Sequence, residues 1–380
     1  MIVTVVCDVL GEENNGTTIA GMNLIRYLKS LGHTVRILCG DQDKKGLDGY
    51  YVVPNYNLGK LLNNYVKKVG VTLAKPEMNI IESAIKGADI VHILVPLALG
   101  INACKVARQY NIPMTAGFHM QAENLTSYFK LNKFKSINKM VYKFIWKHLY
   151  KYVDAIHYPT LFIRNVFENT IKHKTNGYVI SNGVNSYVKK REIAKPQELK
   201  DKIVILTTGR YAREKSQDTL IKAVKLSKYK DNIQLILGGQ GVKEKYYKKI
   251  AKKLPIQPIF KFYSRTDIID VLNYCDIYVH PAEVELEGIS CIEAIACGKL
   301  TIVSDSKLSA TKNFAIDEKC VFKSRNPKSL AKVIDYWIEN EKERKIYEDK
   351  YLKSAKVFNQ EECMKQMETM LKEVIESKKA

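Results

Sequence analysis

Residues 277–305 read "IYVHPAEVELEGISCIEAIACGKLTIVSD". The stretch opens on a short apolar run, "IYVHPA", and crosses an acidic loop. It then enters "GISCIEAIACG", whose small and apolar residues suit a buried helix closed by Gly298. A second apolar run, "LTIVSD", follows at once. Two near-continuously apolar strands joined through a helix predict parallel neighbours in a sheet covered on both faces. The loop also poses a question of charge. Glu283, Glu285, Glu287 and Glu293 fall within eleven residues of a chain whose formal net charge is +21.

The same alternation extends in both directions. Downstream of position 200, "KIVILTTG", "IQLILGG", "IFKFY" and "CVFK" are further strand candidates separated by helical patterns. Upstream, "IVTVVC", "TVRILC", "DIVHIL", "PMTAGFH", "AIHYPT" and "GYVIS" form a second such series. "TTIAGMNLIRYLKSLG" is a helix ending at Gly32. Between the series, residues 183–201 are polar, contain Pro196 and read as a linker. A length of 380 residues suits two domains. The expected architecture is therefore α/β, with two doubly wound domains over 1–185 and 200–355. Residues 356–380 hold a further helix by periodicity. Ligands of such sheets bind beyond the carboxyl ends of the strands, and two facing domains would set those ends on either side of one cleft.

Composition narrows the function classes. Hydrophobic residues make up 46% and charged residues 27%, as in a globular chain. The eight cysteines form no CxxC pair, and most sit in apolar runs. They read as small buried hydrophobes in a reducing compartment, and no metal cluster is expected. "MIVTVVCDVL" lacks a basic leader and is interrupted by Asp8, so it reads as a first strand rather than a signal peptide. No stretch approaches the roughly 20 apolar residues that span a bilayer. The positive excess suits nucleic acid, an anionic membrane surface or phosphate-bearing substrates. No recognised nucleic-acid module is present, so no specific nucleic-acid partner is expected.

Three strand ends in the second half carry candidate chemistry. Arg210 and Lys215 follow "KIVILTTG", where they could clamp a diphosphate or stand as solvated loop cations. Gly238, Gly239 and Gly241 follow "IQLIL" and permit close backbone approach, or make an ordinary tight turn. Gly288, Ile289 and Ser290 open the helix, whose first N–H groups suit an anion or sugar oxygens. Carboxylates accept hydrogen bonds from vicinal hydroxyls. Glu285 in the loop can therefore hold a sugar, and Glu293 in the helix a ribose. A lone carboxylate in an apolar helix is costly without a partner, which favours a functional Glu293. Glu283 and Glu287 read as solvation of the loop.

These segments, in this order, resemble the retaining GT-B glycosyltransferases of family 4. "E-L-E-G-I-S-C-I-E" resembles that family's E-x7-E motif, "GRYAREKSQDTLIKAV" its G-R-x-x-x-E-K-G segment, and "SNGVNSYV" its N-G-V-D domain junction. "NNGTTIAGMNLIRYLKSLGHTV" and "GFHMQAEN" resemble the family's first-domain loop and His-bearing strand end. The resemblance covers essentially the whole chain. It implies a GT-B fold, two Rossmann-like domains facing across a cleft, with a terminal helix that crosses back to the first. It implies Arg210 and Lys215 on the donor diphosphate, Glu285 on the transferred sugar and Glu293 on the ribose. Gly239, Gly241 and the segment around Arg265 would face the nucleobase. His119 would point at the reacting sugar, and Gly16 and Thr17 would lie beneath the phosphates. Two departures stand out. The chain has "NNGTT" where paired glycines are frequent, and Ile289 where an aromatic is frequent. The implied reaction is hexose transfer with retention from a nucleotide sugar, UDP-glucose by preference, with no further cofactor and no metal.

The acceptor is read from "KLNKFKSINKMVYKFIWKHLYKY". Between Lys130 and Tyr152 it holds seven lysines and no acid. Lys135, Lys139, Lys143, Lys147 and Lys151 recur every four residues, interleaved with Phe134, Ile137, Val141, Phe144, Ile145, Trp146 and Tyr150. Basic amphipathic helices with aromatics dock on anionic lipid, although the apolar side could instead pack on the first domain. Residues 58–76 form a second basic, apolar segment. The expected acceptor is a membrane lipid such as diacylglycerol or a glycolipid built on it. The expected location is cytoplasmic, peripheral on the inner face of the membrane. Two alternatives remain: a soluble or cell-surface polysaccharide acceptor, which vesicle binding would separate, and a non-catalytic nucleotide-sugar or nucleic-acid binder, which donor hydrolysis would separate.

Overall fold

The computed structural model describes residues 1–8, 10, 16–57, 59, 73–127 and 134–379. They divide into two compact units, Met1–Asn182 with Glu361–Ala380, and Gly183–Gln360.

The first unit is built on a seven-stranded sheet. Its strands are β1 (Ile2–Val6), β2 (Thr34–Cys39), β3 (Tyr50–Val52), β4 (Ile90–Ile93), β5 (Met114–Gly117), β6 (Ala155–Tyr158) and β7 (Gly177–Val179). The order is β3-β2-β1-β4-β5-β6-β7, and every pairing is parallel. Side chains of β4, β5 and β6 are buried throughout, as the unbroken apolar runs require. The Gly16–Ser30 helix buries Ala20, Leu24, Ile25 and Leu28 against this sheet's core. The Gln360–Lys379 helix joins the same core through Cys363, Met364, Met367, Met370, Leu371 and Val374, which cluster with Val3, Val5 and Leu24. Its polar side is tied down too. His33 Nε2 lies 2.8 Å from Glu368 Oε1, and Tyr178 Oη donates to Glu373 at 2.7 Å.

The second unit carries β8 (Ile203–Thr208), β9 (Ile233–Gly238), β10 (Ile259–Lys261), β11 (Ile277–His280), β12 (Val284–Glu285), β13 (Thr301–Ser304), β14 (Leu308–Ser309) and β15 (Val321–Phe322). Six of them form the sheet β10-β9-β8-β11-β13-β15, while β12 and β14 pair separately. All these pairings are parallel as well. Residues 183–201 are not a loose connector. Val184, Val188 and Leu199 are buried in the second unit's core. Arg191 N donates to Asn273 Oδ1, and Lys195 Nζ to Asp276 Oδ2, both at 2.6 Å. Polar composition concealed three well-spaced apolar anchors. All eight cysteines are buried and none forms a disulfide. Among the described residues no helix is long and apolar enough to cross a membrane.

Candidate active site

The loops after β8 and β11 are stitched together by backbone. The Glu283 N–H donates to Glu214 O at 2.7 Å. That contact sets Lys215 against Glu285, and the ammonium donates to Glu285 Oε1. His280, the last residue of β11, reaches the same oxygen with Nε2 at 2.9 Å. Glu285 is only 8% exposed. Burial pushes its carboxyl up, but the Lys215 charge and the hydrogen bonds from His280 and Lys215 outweigh it and hold the pKa at about 2. The site therefore keeps a buried, ionised acceptor. An ammonium has three donors, so Lys215 retains capacity for an anion.

Arg210 sits one step earlier in the same loop. Its Nη2 donates to Glu214 Oε1 at 3.0 Å, and Glu214 is 3% exposed. Gln217 Nε2 donates to the Arg210 carbonyl at 3.0 Å. Arg210, Glu214 and Lys215 thus form one ordered turn. Ser216 ends the turn at φ 53°, in the left-handed region. The resembling family pattern has glycine there, and the backbone explains why. Ser216→Gly relieves about 1–2 kcal/mol of left-handed strain against about 0.5–1 kcal/mol of added chain entropy. It is expected to raise the melting temperature slightly, and a lowered one would refute this account of the turn.

The glycines after β9 approach backbone, not open space. Gly209 N donates to Gly238 O at 2.9 Å, and Tyr211 N to Gln240 O at 2.8 Å. A Cβ at Gly239 would collide with Gly209 O, and one at Gly241 would lie 2.7 Å from Tyr211 O. These residues hold the Arg210 loop in place. Gly239→Ala is expected to cost ~1–3 kcal/mol through overpacking and to disturb the Arg210 turn. An unchanged melting temperature would contradict that packing.

Gly288 opens the Ile289–Ala296 helix at φ 91°, with a Cβ position 2.5 Å from Thr311 Cγ2. Helical bonding begins with Cys291 N to Gly288 O at 2.8 Å, so Ile289 and Ser290 N–H precede the ladder. Ser290 Oγ donates to Thr208 O at 3.4 Å. Cys291, Ile292, Ala294 and Ile295 face the core, which leaves Glu293 half-buried at its edge. Burial pushes its carboxyl up to about 7, with the Arg265 charge pulling the other way. The apo protein therefore loses stability as pH rises from about 4.5 towards 7, because the unfolded carboxyl releases its proton first. In the ribose-binding role that the resemblance implies for Glu293, the ionised carboxylate is the stronger acceptor, so nucleotide affinity is expected to rise as pH passes through 7. Titration calorimetry across that range checks this, and Glu293→Gln should abolish the step.

The other two glutamates of the loop are not solvated. Glu283 is paired with Arg325, and Glu287 is 3% exposed. The acidic run is thus partitioned by local partners that sequence spacing does not reveal. Glu214 and His280 were not among the expected site residues. A histidine closing an apolar strand just before the acidic loop was the available signal.

The remaining expected residues lie in the first unit. Gly16 and Thr17 form the first turn of the Gly16–Ser30 helix. His119 follows β5, and its ring folds over Gly117, where a Cβ would lie 2.5 Å from its Nε2. It meets the edge of His157 at 5.4 Å between ring centres. Burial, then His157 and His92, hold its pKa well below the ordinary value, so the ring is neutral.

The Lys135–His148 helix turns Asn138, Tyr142 and Ile145 inward. Tyr142 Oη donates to Glu123 at 2.7 Å. Its outer face presents Met140 at 65% and Phe144 at 52% exposure, with Phe134 before it at 56%. Lys135, Lys139, Lys143 and Lys147 are exposed alongside them. Lys130 and Lys133, and residues 60–72 of the second basic segment, lie outside the described residues.

Two family models match the chain. The family model Glycosyltransferase Family 4 matches residues 14–186, and Glycosyl transferases group 1 matches residues 188–353. Alpha-monoglucosyldiacylglycerol synthase of Streptococcus pneumoniae is 24% identical over 224 residues, which is 55% of this chain and 50% of that protein. The chain thus spans about half the length of that curated relative. The catalytic domain of cholesterol-alpha-glucosyltransferase from Helicobacter pylori is 44% identical over 40% of this chain and 97% of that one, with a TM-score of 0.38. HepE of Anabaena, solved with UDP and glucose, is 15% identical, covers 98% of this chain and 100% of its own, and superposes with a TM-score of 0.75.

Proposed function

The chain belongs to the group 1, family 4 glycosyltransferases and has their GT-B fold, and from that premise we propose that it transfers a hexose from a nucleoside diphosphate to a hydroxyl of a membrane lipid. The observation that carries the donor half is the buried, ionised Glu285 paired with Lys215, on the same ordered turn as the Arg210–Glu214 pair. In this reading Glu285 accepts from the sugar hydroxyls and Glu293 from the ribose. Arg210, Lys215 and the first N–H groups of the Ile289–Ala296 helix meet the charge that grows on the leaving diphosphate. Gly241 and Arg265 border the base. The incoming hydroxyl attacks on the face the diphosphate leaves, passing its proton to a leaving phosphate oxygen, so configuration is retained. With three cationic or polarised groups on the diphosphate, turnover is expected to survive EDTA.

The acceptor half rests on the outward face of the Lys135–His148 helix. Large apolar residues more than half exposed between lysines suit the headgroup boundary of an anionic bilayer. The curated streptococcal relative is named for a glucosyl lipid, which fits the same direction. We take UDP-glucose as the donor and diacylglycerol or a glycolipid built on it as the acceptor, at the inner face of the membrane.

A panel of nucleotide sugars in thermal unfolding tests the donor, since ligand at about 100 times Kd adds roughly 2.7 kcal/mol. A panel of diacylglycerol, its monoglucosyl derivative, a sterol and a soluble oligosaccharide then tests the acceptor. Transfer to the oligosaccharide alone, without vesicle binding, would overturn the lipid assignment.

A further inference from the structure

We propose that His280 is the positioning residue for Glu285, the inner end of a hydrogen-bonded chain that aims one carboxylate oxygen at the sugar. The proposal rests on the reading of Glu285 as the sugar-binding carboxylate. His280 closes β11 and is 2% exposed. Its Nε2 lies 2.9 Å from Glu285 Oε1, and its Nδ1 3.4 Å from Tyr278 Oη. Tyr278 Oη lies 2.8 Å from Thr208 Oγ1, at the end of the neighbouring strand β8.

The direction of each bond follows from the carboxylate. An ionised carboxylate only accepts, so Nε2 carries the hydrogen. With its one hydrogen on Nε2, the ring leaves Nδ1 bare to accept from the Tyr278 hydroxyl. Having donated, that hydroxyl accepts from Thr208. One donor sequence satisfies all four groups.

Lys215 and His280 both land on Oε1. Oε2 is left as the acceptor for a ligand hydroxyl. The two anchors differ in kind. Lys215 has a long rotatable stem and a diphosphate to serve, so its hold on Glu285 weakens as the donor binds. The imidazole is fixed in a buried strand and has no second task. It keeps the carboxylate plane oriented when the ammonium turns to the phosphates.

An isosteric pair of amides tests this. His280→Gln places its N–H near the position of Nε2. His280→Asn places its N–H near Nδ1 and cannot reach Glu285. UDP and UDP-glucose affinities are measured by calorimetry, with steady-state transfer alongside. His280→Asn is expected to lower kcat by about tenfold or more and to erase the affinity difference between UDP-glucose and UDP. Its UDP affinity should stay within about twofold of wild type, since uridine and diphosphate contacts are untouched. His280→Gln should restore most of both losses. Wild-type kcat in His280→Asn, equal loss of UDP and UDP-glucose binding, or no rescue by glutamine would each overturn the proposal. Glu285→Gln separates the two levels. If it too is fully active, the assignment of Glu285 falls and the positioning role with it. If it is crippled while His280→Asn is not, only the positioning role falls.

Discussion

Lys215→Ala is expected to lower kcat/KM about a hundredfold, the scale of losing one preorganised donor at a site of developing charge. The change acts twice. In the proposed donor site it removes a cation from the leaving diphosphate, and it removes the largest charge acting against burial at Glu285. Without that charge the Glu285 carboxyl shifts upward from about 2, which weakens the ionised acceptor that the proposed sugar contact uses. Stability follows with a definite sign. A carboxyl depressed in the folded state stabilises above its ordinary pKa of 4.5 and loses that contribution as pH falls through about 2. The gap in melting temperature between wild type and variant should therefore be full near neutrality and narrow on acidification. Steady-state kinetics and unfolding at several pH values measure both. Wild-type kinetics would remove Lys215 from the donor site.

Changing Lys135, Lys139, Lys143 and Lys147 together to glutamine is expected to weaken binding to phosphatidylglycerol vesicles about a thousandfold. Each lysine near an anionic surface contributes roughly 1 kcal/mol. The inward residues Asn138, Tyr142 and Ile145 are untouched, so the melting temperature and donor hydrolysis should stay at wild-type values. Raising salt should mimic the variant, because these charges are exposed and screened. Met140→Ser with Phe144→Ser should weaken binding in a salt-insensitive way. Vesicle flotation at low and high salt distinguishes the two contributions. Failure of the wild type to float with anionic vesicles at low salt would remove the membrane from the account.

Much of the fold was legible because burial on both faces leaves an unmistakable trace. Runs such as "IVTVV" and "IQLILG" cannot be half-exposed strands, and both became interior strands of parallel sheets. The candidate carboxylates were legible for a related reason: Glu293 interrupts an apolar helix, and Glu285 precedes one. What stayed hidden depends on partners distant in sequence. Spacing alone could not show that Arg325 takes up Glu283, or that His280 and Lys215 converge on one oxygen of Glu285. Residues 183–201 misled because ten of them are charged or amide-bearing, while Val184, Val188 and Leu199 do the packing. The glycines after β9 were legible as a close approach, but only the fold shows that backbone is what they approach.

The chain leaves the first unit at Asn182 and returns to it at Glu361. A nascent polypeptide emerging from the ribosome therefore cannot finish this unit until the Gln360–Lys379 helix has followed the second unit out. At ~5–20 residues per second the delay is roughly ten to forty seconds, during which Val3, Leu24 and their neighbours lack their Met364, Met367 and Leu371 cover. Chaperone capture or proteolysis during synthesis should concentrate on that uncovered core.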